Sequence, residues 1–250
     1  MVNQAPANDA SEAEATVEAA LVSSYVWRGQ VLNNDFVFQP QFTISQYNVS
    51  FNIWANYDLG SSYNNVQGDF SEIDLSLAYT LPLNLNDMSF DVGAISYQFP
   101  GNGDSASDST IELFAAAHLL TFQDYFIPSV TFFGDVKEVD GTYILFDFVA
   151  PYQVSDYLSV EAGFSAGWGN TRYNDVYFGQ YPDGTTKSRD KGFNDFNFYG
   201  GASYEIMDNL TTSINLTYTC LAGGQIENGA KAMYEAKEKL WGGVNIAYDF

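Results

Sequence analysis

Hydrophobic and polar residues alternate along most of this chain with a period of two, which is the side-chain period of a β-strand. In one segment Phe51 and Ile53 fall on one face, and Asn52 and Asp58 fall on the other. The alternation predicts twelve strands, at about 16–28, 36–46, 48–59, 70–81, 88–99, 109–120, 126–136, 142–153, 157–169, 193–205, 209–220 and 238–250.

Charged residues avoid one face of these strands. Eleven predicted strands have an apolar face without any charge, although 16% of the chain is charged. Outer-membrane barrels turn apolar side chains to lipid and polar ones to the lumen, whereas a soluble barrel or sandwich does the reverse. Alternation alone does not distinguish the membrane barrel from the soluble barrel or sandwich. In the fifth strand the apolar face switches between Val92 and Ile95, so we expect a β-bulge there.

The connections between strands favour the membrane barrel, because short and long ones alternate as they do in outer-membrane proteins. The long, polar connections include 170–192 and 221–237, and the short ones are 46–48, 82–87, 121–125, 154–156 and 206–208. We therefore predict one all-β fold, a single transmembrane antiparallel β-barrel of about twelve strands with short periplasmic turns and longer extracellular loops. A polar N-terminal tail (1–15) precedes the barrel (16–250).

The composition of the chain excludes some classes of function. Nine Lys and Arg against 31 Asp and Glu give a formal net charge of −22, which excludes general attraction to nucleic-acid phosphates. Residues 1–14 lack the basic and apolar regions of a secretory signal. The chain is therefore expected to be cytosolic or the mature form of an exported protein, and the strand pattern favours the second, in a bacterial outer membrane. We expect no catalytic residue, cofactor or metal site, since the chain has one Cys and one His.

Two short motifs resemble known outer-membrane proteins. The run Ser24-Tyr25-Val26-Trp27-Arg28-Gly29-Gln30 is similar to the first-strand motif of the TorF-like porin family. The terminal Tyr248-Asp249-Phe250 resembles the assembly signal of bacterial outer-membrane barrels. The resemblance implies a small Gram-negative outer-membrane barrel whose C-terminal strand and Phe250 engage the barrel assembly machinery. It supplies no catalytic residue.

Carboxylates on the inward parity form the main candidate site. Rings of acids favour cations in channels, so we expect an outer-membrane porin that passes small solutes by passive diffusion and prefers cations. One alternative is a structural barrel with a blocked interior that binds lipopolysaccharide or a partner through its long loops. A lipid hydrolase using His118, a Ser and an acid is a further alternative. The predicted pore-lining residues are Glu72, Asp74, Glu112, Asp147, Glu161, Asp195 and Glu205.

Aromatic and basic residues suggest contacts with the membrane. Aromatic girdles mark the two interfaces of a membrane barrel, and we assign Tyr25, Trp27, Tyr79, Trp168, Tyr204 and Tyr248 to them. All nine Lys and Arg lie in or beside the long connections. There they are placed to meet lipopolysaccharide phosphates, which bind such donors well.

Overall fold

The chain forms a closed barrel of twelve antiparallel strands in this computed structural model. The structure describes residues 12–60, 67–83, 85, 87–100, 109–181, 183–234 and 236–250. Within them, no helix is long and apolar enough to cross a membrane. Most of the predicted N-terminal tail (1–15) lies outside the described residues, and the first strand begins at Glu14.

The wall strands lie close to the predicted positions. Each pairs with its neighbours in the sequence, and the barrel closes because β1 pairs with β14 on one side and with β4 on the other. The bounds are β1 Glu14–Val22, β4 Val37–Gln46, β5 Val49–Asp58, β6 Phe70–Thr80, β7 Met88–Gln98, β8 Thr110–Leu119, β9 Ile127–Asp135, β10 Thr142–Gln153, β11 Leu158–Gly169, β12 Gly192–Met207, β13 Leu210–Leu221 and β14 Glu238–Asp249.

The two faces of the wall have opposite chemistry. Ile214 and Val244 are 59% and 51% exposed on the outside, whereas Glu112 and Asp195 are 3% and 0% exposed on the inside. A soluble barrel would bury the first pair and expose the second. The outer face is therefore suited to hydrocarbon, and the protein is a transmembrane barrel of the bacterial outer membrane.

The expected bulge in the fifth strand is absent. β7 pairs with β6 and with β8 in unbroken register. Ile95 lies directly opposite Glu112, and directly opposed residues share a face of the sheet. Ile95 therefore points inward from a regular strand. The apparent switch of the apolar face between Val92 and Ile95 arose because this one inward position is apolar.

The first predicted strand is too long at its C-terminal end. β1 ends at Val22, and the chain then turns into the barrel as a two-stranded hairpin, β2 (Tyr25–Trp27) and β3 (Gln30–Asn33). We call residues 25–33 the plug hairpin. The assignment of Tyr25 and Trp27 to a lipid girdle is wrong, because both lie inside: Tyr25 is buried, and Trp27 packs on Tyr97.

Two helices occupy connections that the sequence analysis treated as loops. α1 (Thr171–Gly179) begins after Asn170, whose side chain accepts a hydrogen bond from the Tyr173 amide at 2.8 Å. α2 (Gly224–Met233) follows β13. Side chains of both helices share one buried cluster with Tyr143 and Leu221 of the wall. The helices therefore close over the extracellular end of the barrel.

Ile214→Lys is expected to destabilise the protein by about 2–4 kcal/mol if the site lies near the bilayer midplane, because a lysine on the lipid face is poorly solvated. Urea unfolding in phospholipid vesicles measures the loss. Ser213→Lys is the matched control, since Ser213 is the neighbouring residue on the inward face. A loss at Ser213 equal to the loss at Ile214 would contradict the assignment of the two faces.

Candidate functional site

A tight turn at the tip of the plug hairpin carries an arginine into the lumen. Trp27 pairs with Gln30, so Arg28 and Gly29 are the two turn residues, with φ angles of 46° and 82°. Two-residue turns with both φ angles positive match the twist of a hairpin. A side chain on Gly29 would lie 2.4 Å from Leu221 and 2.8 Å from Asp195. The turn therefore needs glycine here, and it touches the far wall.

Arg28 forms a bidentate ion pair with Glu112 of β8. Its two terminal nitrogens donate to the two carboxylate oxygens at 2.8 and 2.7 Å, and the Tyr97 hydroxyl donates to the same carboxylate at 2.8 Å. Burial opposes the charged guanidinium, but Glu112 reverses this effect and raises the pKa of Arg28 well above its ordinary value. Fork-to-fork pairs of this kind are strong and directional, so the contact fixes the hairpin tip against β8.

Aromatic rings surround the same guanidinium. Its carbon lies 4.5 Å from the Trp27 ring centre and 4.4 Å from the ring centres of Phe133 and Tyr143. Arginine is attracted to aromatic faces within about 6 Å, and the effect is larger where water is excluded. The Tyr173 ring centre lies at 5.9 Å, so the cation is held by four rings as well as by a carboxylate.

Other hairpin residues bind further strands of the wall. The Tyr25 hydroxyl donates to Glu72 on β6 at 2.8 Å, and the Asn33 amide donates to Asp58 at the end of β5 at 2.6 Å. Arg28 binds Glu112 on β8, and Gly29 lies beside Asp195 on β12. The contacts of the hairpin therefore reach strands around much of the barrel. The plug hairpin thus crosses the lumen instead of lining one side of it.

Asp195 anchors the opposite side of the lumen. It is fully buried and accepts hydrogen bonds from the Tyr143 hydroxyl at 2.9 Å and from the Asn197 amide at 3.0 Å. A Cβ atom on Gly167 would lie 2.0 Å from the Tyr143 hydroxyl. The glycine therefore leaves room for the tyrosine to cross the inner surface and reach the carboxylate.

The helices pack against the hairpin and the wall in the upper half. The Tyr177 ring of α1 packs edge-on against Trp27 of the hairpin, with 5.2 Å between ring centres. Tyr173 and Phe178 of α1 and Ile226 of α2 are buried in the shared cluster. Burial raises the pKa of the Tyr177 hydroxyl, which therefore remains neutral. Among the described residues, the hairpin, side chains of the two helices and aromatic rings of the wall therefore meet in the upper lumen.

The lower half is polar and more open. Asp147 accepts a hydrogen bond from Tyr199 at 2.8 Å, and His118 lies 3.1 Å from Asp91. These groups are on the inward face and only partly buried. His118 therefore lies on the inward face of the wall and not on its lipid-facing side.

All seven predicted pore-lining acids point into the barrel, but they fall into two groups. Glu72, Asp74, Glu112 and Asp195 lie in the upper half, among or beside the contacts of the plug. Asp147, Glu161 and Glu205 lie in the lower half and are partly buried. Their role in lining a pore stays a prediction. The residues that sequence reasoning did not assign to the site are mainly Asn33, Asp58 and the helix tyrosines.

The remaining predicted membrane contacts have varied positions. Tyr79, Tyr204 and Tyr248 are exposed on the outer face, and Trp168 is partly buried. Apart from Arg28, the basic residues occupy the long connections or the strand ends beside them, and Arg189 is buried there. Phe250 is exposed, and its amide donates to Ala15 on β1 at 2.9 Å. Contacts with lipopolysaccharide and assembly machinery stay predictions.

These features define a porin-like β-barrel of the bacterial outer membrane. Comparison with family models then gives the family: residues 15–250 match the model of "MltA-interacting protein MipA", and the chain belongs to that family. The finer resemblance to TorF-like porins is not confirmed. No curated protein matches the sequence.

Solved structures share the fold at low sequence identity. LpxR from Salmonella typhimurium superposes with a TM-score of 0.57 at 9% identity, covering 93% of this chain and 99% of that one. The KdgM porin gives 0.55 at 8%, covering 95% and 99%. The COG4313 outer membrane channel from Pseudomonas putida F1 gives 0.51 at 13%, covering 99% and 100%. At such identities the likeness establishes the architecture alone.

Arg28→Leu is expected to destabilise the protein by about 3–5 kcal/mol, because it leaves Glu112 buried without its cation. The double variant Arg28→Leu/Glu112→Leu should lose less, since neither charge then remains unpaired. Urea unfolding in detergent micelles measures both. Lys191→Leu is the control at an exposed cation and should change stability by no more than about 0.5 kcal/mol. Equal losses for Arg28→Leu and Lys191→Leu would contradict the assigned ion pair.

Proposed function

We propose that this protein is a closed outer-membrane barrel that acts by binding a partner, and that it is not a permanently open diffusion pore. The observation that carries this proposal is the plug hairpin, which crosses the lumen and is tied to it by the buried pair of Arg28 and Glu112. It shares the blocked interior of the alternative raised by the sequence, but it places the partner at the short-turn rim and not at the long loops.

Energetics support the closed state. Moving the hairpin out of the lumen separates a bidentate ion pair and strips the Arg28 guanidinium of its aromatic contacts. It also leaves Glu72 without the Tyr25 hydroxyl. Breaking a buried charge pair costs several kcal/mol, so thermal fluctuation alone opens such a plug rarely.

The family supports a protein partner. The name of the matching model describes an interaction with MltA, and we propose that this chain also binds a partner of that type. Its short-turn rim presents the exposed acids Asp87, Asp124, Asp156 and Asp208. All nine Lys and Arg lie toward the opposite end or in the upper lumen. A partner approaching from the periplasm therefore meets a negative surface, which a basic surface would complement.

The second candidate is the cation-preferring diffusion expected from the sequence. It is favoured by the inward acids of the lower half and needs the plug to move aside. The architecture allows this, because Val22 of β1 and Val37 of β4 are directly paired. The plug is thus an insertion between two adjacent wall strands, and the wall closes without it.

Replacing residues 23–36 with Asn-Gly is expected to open the barrel. A two-residue turn of this type joins paired antiparallel strands, so Val22 and Val37 keep their register. In planar bilayers the intact protein should conduct very little, whereas the replaced protein should form channels that prefer cations, because acids with a low-dielectric wall behind them concentrate positive ions.

Two comparisons make the conductance experiment decisive. Asp183→Ala, an exposed change outside the lumen, should leave the intact protein closed. In the opened protein, Asp147→Asn/Glu161→Gln should reduce the cation preference. Large, steady conductance by the intact protein would contradict the closed barrel. An opened channel that prefers anions would contradict the role of the acids.

Purified MltA is expected to bind the folded protein in detergent micelles, as measured by surface plasmon resonance. Asp124→Lys/Asp156→Lys should lower the association rate, roughly tenfold at low salt, because long-range charge attraction steers encounter. Asp183→Lys on the opposite rim is the matched control and should bind as the parent does. Absence of binding, or equal losses from both rims, would contradict this part of the proposal.

A further inference from the structure

A cavity of about 170 Å³ lies beside the plug hairpin at the extracellular end of the lumen. Five aromatic side chains surround it: Trp27 from the hairpin, Tyr97 from β7, Phe99 just after β7, Tyr177 from α1 and Tyr234 just after α2. The volume is below the range of about 300–1,000 Å³ typical of sites for drug-sized ligands. The space therefore suits one small ring.

Gln30 places an unused hydrogen-bond donor at this cavity. Its residue is only 1% exposed, and its side-chain nitrogen has no hydrogen-bond partner among the described residues. Buried polar groups in native proteins are nearly always hydrogen-bonded, and an unpaired one is costly. A molecule in the cavity with an acceptor oxygen would satisfy the amide.

Glu72 supplies the complementary acceptor. Its carboxylate lines the same cavity and accepts a hydrogen bond from Tyr25. Within the part of the chain that the structure describes, no ion pair joins Glu72 to a basic side chain. The carboxylate also shares a hydrogen bond with the Asp74 side chain. A carboxylate has about four acceptor positions, so acceptor capacity is left for a ligand that donates.

These requirements select one ligand chemistry. The ligand must accept from Gln30, donate to Glu72 and present an apolar surface to aromatic rings. A simple cation fails because it has no acceptor for the amide, and an anion is repelled by Glu72. Sugar rings carry hydroxyls that both donate and accept, together with C–H faces that pack on aromatic rings.

We propose that this cavity is a binding site for a neutral monosaccharide unit. Trp27 is already held edge-on against Tyr97 and Tyr177, at 6.0 and 5.2 Å between ring centres. The aromatic wall is thus formed before a ligand arrives, and a preorganised site loses less entropy on binding. The site goes beyond the proposed function, since it lies at the end of the barrel opposite the acidic rim.

The test uses the folded full chain in detergent micelles, titrated with D-glucose and with N-acetyl-D-glucosamine. Tryptophan fluorescence reports binding through Trp27, and the thermal midpoint gives a second readout, because a ligand that binds only the native state stabilises it. We expect at least one of the two sugars to produce a saturable change in both signals. Sodium D-glucuronate and tetramethylammonium chloride represent anionic and cationic ligands, and each should bind at least tenfold more weakly.

Variants separate the site from general effects on the fold. Gln30→Leu removes the unpaired amide and should weaken sugar binding about tenfold, as loss of one hydrogen bond to a ligand does. Gln41→Leu is the matched control, because Gln41 lies on the β4 wall and does not line the cavity. If Gln30→Leu fails to fold, Tyr177→Leu removes a ring from a different element and should also weaken binding.

Three results would overturn the proposal: no saturable response to either sugar, equal affinity in the parent and in the folded cavity variants, or tighter binding of tetramethylammonium than of sugar. None of them bears on the conductance or on MltA binding. Failure here is therefore distinguishable from failure of the proposed function.

Discussion

Closure of the wall is the constraint on which the rest of the structure depends. Hydrocarbon offers no partner to a backbone amide, so a sheet crosses a membrane only when its first and last strands pair, as β1 and β14 do here. Once closed, the wall has an outside that excludes charge. A chain with a formal charge of −22 must then place many of its carboxylates inside or at the rims.

The plug hairpin supplies partners for carboxylates that the closed wall places in the lumen. Acids gathered in a narrow lumen repel one another and need either water or specific partners. In the upper half the partners are protein groups: one guanidinium for Glu112 and tyrosine hydroxyls for Glu72 and Asp195. In the lower half the acids keep partial access to solvent. The same hairpin therefore supplies the cation for Glu112 and the Tyr25 hydroxyl for Glu72, whereas Asp195 takes its hydroxyl from Tyr143 of the wall.

The sequence alone predicted the wall strands well, because side chains that alternate between lipid and lumen produce a period-two alternation of apolar and polar residues. It did not show where β1 leaves the wall, since Tyr25 and Trp27 continue the same alternation inside the barrel. The pair of Arg28 and Glu112 is separated by 84 residues, and no local pattern encodes such a contact. The available signal was a lone basic residue followed by glycine on an otherwise acidic inner face. The helices α1 and α2 were not predicted, because each is short and lies in a long, polar connection that is typical of an extracellular loop.

Because the plug is inserted between two paired strands, the stability of the wall and the stability of the docked hairpin depend on different contacts. The register of β1 with β4 runs to Val22 and Val37 without help from the hairpin, so the wall depends on strand pairing and on the lipid-facing side chains. The hairpin depends on contacts that form only inside a finished barrel. A protein built this way can retain its fold while the occupant of its lumen changes, and porin-like and closed barrels then differ by one short segment. Under the proposed function, a conducting barrel and a closed one differ in how firmly residues such as Arg28 hold that segment in place.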